Sequence, residues 1–111
     1  MQIDLSLDQS VAERMGYSDA VAATSFPSGG DDRIEIALVP PLKMPYPNDD
    51  WVICVHSGCD PDRPDLGVSS VEDVAGGREA AVQRYAEVLE EIRSGLERDA
   101  EIRNLRGYSP M

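Results

Sequence analysis

Cys54, His56 and Cys59 form the densest group of reactive side chains in the 111-residue chain, with its one histidine lying between its two cysteines. On an extended strand residues two apart share a face, so Cys54 and His56 would point the same way, and a turn at Gly58 could swing Cys59 back toward them. Thiolate and imidazole are zinc ligands, which makes Cys54, His56 and Cys59 a candidate metal site, with Asp60 or Asp62 able to add an oxygen. Structural zinc sites usually draw paired ligands from two separate segments, a pattern missing here, so the expectation is no resident cofactor, with zinc as the one candidate. The same atoms allow a Cys54–Cys59 disulfide or a thiolate nucleophile assisted by imidazole. Two cysteines are too few for the framework of a small secreted domain. Neighbouring placement on one strand supplies no oxyanion hole and no helix N-terminus beneath the thiol, so no enzyme is expected.

Other reactive patterns are weaker. Asp60, Asp62 and Asp65 in D-P-D-R-P-D offer hard-cation oxygens but lack the glycine and terminal glutamate of a calcium-binding helix–loop–helix. Gly29-Gly30 and Gly76-Gly77 do not fall in either glycine-rich phosphate-binding frame.

Charge is the remaining feature. Twenty-one acids against ten bases leave a formal net charge of -11, the reverse of what neutralising a phosphate backbone requires, so direct binding of nucleic acid or of an anionic membrane is disfavoured. Asp49, Asp50, Asp60, Asp62 and Asp65 flank the Trp51 segment, and Glu87, Glu90, Glu97 and Glu101 run along one face of the last helical segment. If the two groups converge, they form an anionic surface that steers a basic partner onto it. The leading expectation is therefore a small acidic module that binds a basic, nucleic-acid-binding surface of a partner protein and blocks it, as an inhibitor or neutraliser does. Its rivals are a metal- or thiol-dependent module built on Cys54, His56 and Cys59, and an acid-rich domain adapted to high salt. Arg93, Arg98 and Arg103 stand within helical reach of Glu97, Asp99 and Glu101, the arrangement of an ordinary salt-bridged helix face.

The elements that must position these residues follow from hydrophobic period. Ile34, Ile36 and Leu38 alternate with Arg33, Glu35 and Ala37, so Arg33 to Val39 reads as a strand with one buried and one wet face. Trp51 to His56 is nearly continuously apolar, which suits a central strand covered on both sides, and the short proline-rich link favours an antiparallel pair. Gln2 to Leu7 alternates like a half-buried strand. From Ser6 a helix competes with it, capped by Ser6, carrying Val11, Ala12 and Met15 on one side and stopping at Gly16. Asp19 to Phe26 fits either a helical turn or a strand, and Val71 to Ala75 reads as a helical lead-in.

From Gly77 the spacing of Val82, Tyr85, Leu89, Ile92 and Leu96, widened by Val88, predicts the longest helix. It is expected to bend or end between Gly95 and Ala100. Otherwise Ile102 and Leu105, which lie out of phase with the stripe, reach a second surface such as another copy in a homodimer through the helix end. The predicted fold is a single α+β domain over residues 1–111: an antiparallel sheet of three to four strands with the long C-terminal helix packed on one face, and Leu89, Ile92, Ile34, Ile36, Val52 and Ile53 meeting in the core. No apolar run approaches the length of a membrane span, and Met1 to Gln9 has no leader-like pattern, so a cytoplasmic protein is expected.

Overall fold

The computed structural model describes residues 5–29, 32–44, 46–57 and 68–105. It is an α+β fold in which helix α1 (Gln9–Met15) precedes strands β1 (Ala22–Gly29), β2 (Asp32–Val39), β3 (Trp51–Ser57) and β4 (Val68–Val74), and helix α2 (Gly77–Leu105) closes the chain. The strands form one sheet in the order β1-β2-β3-β4, every pair antiparallel. Consecutive strands are neighbours because the links between them are too short to need a crossover.

Alternation along the central strands sorts the apolar residues onto two faces. Ile36 and Leu38 of β2 and Ile53 of β3 meet Ala81, Tyr85 and Val88 of α2, with Leu89 and Ile92 packed against them. Ala37 and Val39 of β2 and Val52 and Cys54 of β3 meet Val11, Ala12 and Met15 of α1 on the opposite face. The long helix thus covers one face, as the sequence predicts, and a second, short helix covers the other. Two expectations change as a result. Val52 and Ile53, expected in one core, are adjacent in sequence and so bury into different clusters. The expected wet face of β2 stays wet only at Arg33, with Glu35 2% exposed and Ala37 fully buried. Alanines at 12, 20, 23 and 37 are what let α1 approach the sheet so closely.

At only 7 residues α1 depends on this packing and on its caps. Its N-cap is Asp8, not Ser6: the Asp8 carboxylate accepts from the backbone N–H of Ser10 and Val11 and from the Ser10 hydroxyl. Gly16, at φ 88°, turns the chain out through the left-handed region, as the stop at Gly16 implied. Leu5 to Leu7 form no strand. Leu7 makes an isolated parallel bridge to Ala23, with Ala23 N–H donating to the Ser6 carbonyl and Asp8 N–H to the Ala23 carbonyl; the rest of the predicted first strand, Gln2 to Asp4, lies outside the described residues.

Of Asp19 to Phe26, the part from Ala22 onward is the start of β1, and the fourth strand is where a helical lead-in was expected. Val71 to Val74 belongs to β4, which pairs with β3 from Ser57↔Val68 to Trp51↔Val74. Pairing with an existing edge along the whole strand satisfies the backbone groups on one side of it at once, a gain that a one-turn helix ahead of Gly76 lacks. Gly76 and Gly77, at φ 104° and 82°, then reverse the chain into α2. That helix neither stops at Gly95 nor at Ala100 but runs on to Leu105, because a single glycine costs only about 1 kcal/mol in a helix held by its packed half.

Candidate functional site

Cys54 and His56 do share a face of β3, the one that α1 covers. Cys54 is fully buried and its thiol donates to the Met44 thioether, Sγ to Sδ 4.0 Å. Met44 reaches it from the β2–β3 link, where it is 8% exposed. Burial pushes the Cys54 thiol up, only partly offset by a hydrogen bond from Tyr17. A thiol held in its neutral form is a poor nucleophile. His56, half-buried, stands edge-on to the Tyr17 ring at a centroid distance of 6.1 Å. Burial holds its pKa below the ordinary 6.5, against the opposing pull of Glu35. Cys59, Asp60, Asp62 and Asp65 lie outside the described residues, and among those described no three His, Cys, Asp or Glu side chains are grouped to hold a metal ion.

Beside this pair sits an ion pair that residue spacing did not reveal. Glu35 stands directly opposite His56 in the β2–β3 register, and its buried carboxylate accepts from Nε of Arg14 at 2.7 Å and from Nη2 of the same residue. Alternation placed Glu35 on a solvent face, and nothing in its 21-residue separation from Arg14 pairs the two. Only the docking of α1 on β2 makes them partners.

The acidic residues divide. Asp49 and Asp50 are exposed just ahead of Trp51, which pairs with Val74 at the sheet end where α2 begins. Glu87 and Glu97 are exposed on α2, the latter about 30 Å along the axis from Gly77. Glu90 is exposed but accepts from Arg93 at 3.2 Å. Glu101 belongs to α2, with its side chain outside the description. Glu97 therefore stands well along α2 from the helix start, the end of the sheet that Asp49 and Asp50 flank.

Three surface features carry no signal in hydrophobic period. The first is the link from Pro40 to Asp50. It is pinned inside by Met44 and across its base by Asn48, whose backbone carbonyl accepts from Leu42 N–H, whose side-chain oxygen accepts from Met44 N–H and whose amide donates to the Asp50 carbonyl. Held this way, Leu42 is 73% exposed at φ 67° and Tyr46 is 44% exposed. The second is a groove of about 320 Å³ between α2 and the β1 side of the sheet, lined by Thr24, Phe26, Tyr85, Leu89, Glu90 and Arg93 among others; burial pushes the Tyr85 phenol up to about 12. The third is the outer edge of β4.

Comparison with protein-family models, with curated proteins and with solved structures finds no match to this chain.

Proposed function

We propose that this chain is an acidic, non-enzymatic binding module that docks on a basic, nucleic-acid-binding surface of a partner protein and blocks it. One observation carries the reading: among the described residues, the exposed acids outside any ion pair outnumber the exposed cations outside one, which are Arg33, Lys43 and Arg78. Among the described residues the ion pairs are Arg14–Glu35, Arg84 with Glu72 and Glu91, and Arg93–Glu90. Asp49, Asp50, Asp73, Glu87 and Glu97 are exposed and enter none of them. Uncompensated charge of one sign raises the association rate with a partner of the other sign and is screened by salt, since the Debye length falls from about 10 Å at 0.1 M to 3 Å at 1 M.

The test is capture from a host extract on the immobilised chain. The reading expects basic proteins that elute as ionic strength rises and that a polynucleotide competitor displaces, with capture lost when Asp49, Asp50, Glu87 and Glu97 are all replaced by lysine. Capture indifferent to both salt and charge reversal would overturn it.

A further inference from the structure

The two edges of the sheet are treated differently. At the β1 edge the chain carries a proline, Pro27, a register shift between Pro27 and Gly29, and backbone hydrogen bonds from Ala23 to the Ser6–Asp8 segment. These are the devices that keep a free edge from pairing with another chain. At the β4 edge none of them is present among the described residues: the register is unbroken over all seven residues, V-S-S-V-E-D-V, with no proline and no lysine. An extended edge of this kind is a template for one more strand.

The side chains along it say which strand. Val71 stands opposite Cys54, on the face that α1 leaves to the β2–β3 link, and is 48% exposed. Val71 and Asp73, two apart on β4, thus present an apolar and an anionic side chain on the same face, both exposed. Glu72, on the other face, is already held by Arg84 at 2.6 Å. Asp73 has no ion-pair partner among the described residues, and Asp49 and Asp50 lie at the same end of the sheet. A second copy of a chain of charge -11 would set acids against acids here. A segment carrying an apolar and a basic residue two apart, on one face of its strand, would place the apolar side chain on Val71 and the cation against Asp73.

We propose that the outer edge of β4 takes an extended basic segment of the partner protein as a fifth strand. This rests on the acidic-module reading and names where and how that module binds. The probe is the eight-residue peptide T-V-T-K-T-V-T-K, in which valine and lysine alternate along one face of an extended strand, titrated into the full chain at low salt and followed by backbone amide shifts. The expected result is perturbation centred on Ser69 to Val74, with binding about tenfold weaker for a peptide N-methylated along its backbone, for Val71→Lys and for Asp73→Lys, and little changed for Glu13→Lys, a reversal at an exposed acid on α1. Val71 and Asp73 are exposed, and each variant's own spectrum reports its fold. Shifts confined to α2, or equal affinity for the N-methylated peptide, would overturn the edge proposal while leaving a charge-driven module standing. Failure of the peptide to bind at all, together with no salt-sensitive capture of basic proteins, would remove both.

Discussion

Glu35, buried in the second strand, accepts hydrogen bonds from both Nε and Nη2 of Arg14 on the short first helix, through one carboxylate oxygen. The pair ties α1 to the sheet and leaves a carboxylate 2% exposed that depends on one guanidinium, itself about a third exposed. Arg14→Met should destabilise the fold by about 2 kcal/mol, because a buried charged acceptor loses its donors. Arg14→Met/Glu35→Met should recover most of that loss, since an apolar pair of similar volume carries no desolvation penalty. Chemical denaturation of the two variants decides it; a double variant as weak as the single one would contradict the assignment.

His56 makes stability pH-dependent with a definite sign. Its folded pKa lies below the unfolded 6.5, first because of burial, so the unfolded state binds the proton more readily. The contribution is fully present above pH 6.5 and is lost as pH falls through the folded value. His56→Gln should flatten the denaturation midpoint between pH 7.5 and pH 5.5 relative to the parent chain. Glu72, whose pKa is lowered by its hydrogen bond from Arg84, acts only below its ordinary 4.5, outside that window.

Cys54 should be chemically silent in the folded protein. With the thiol fully buried against Met44 and its ionisation pushed up, alkylation of a Cys59→Ser variant is expected only after denaturant unfolds the chain. Rapid labelling of the native variant would reopen a thiol chemistry for this site.

Two glycines with positive φ predict different costs. At Gly16 an added Cβ meets nothing within 4 Å, so Gly16→Ala should cost about 1 kcal/mol of backbone strain alone. At Gly76 the added carbon would stand 2.9 Å from the Ala80 Cβ, on top of a φ of 104°. Gly76→Ala should therefore be clearly the more damaging, as a lower thermal midpoint. Equal midpoints would mean the β4–α2 turn adjusts freely.

Leu42 sets stability against exposure. A leucine in the left-handed region costs about 1 kcal/mol or more, and this one is 73% exposed, so it returns little burial in the free chain. Leu42→Asn should leave the thermal midpoint unchanged or raise it. A marked fall would show that the side chain packs.

Much of the fold is legible in residue order. The β2 and β3 strands, the stop of α1 at Gly16 and the apolar stripe of α2 through Tyr85, Leu89 and Ile92 follow from local period and from glycine, both properties of a segment by itself. The net charge and the shared face of Cys54 and His56 are equally local. What the tertiary structure decided is which surfaces meet. Val71 to Val74 joined the sheet because an open β3 edge offered hydrogen bonds that a short helix cannot match, and Glu35 went inside because α1 arrived carrying Arg14. The split of Val52 and Ile53 between two cores follows from a second layer that period in a single strand does not announce. The separation of Asp49 and Asp50 from Glu97 came from the length of α2. Spacing along a chain sets the face a side chain takes on its own element, whereas its partner depends on how distant elements pack, and that is settled by burial and hydrogen-bond satisfaction summed over the whole molecule.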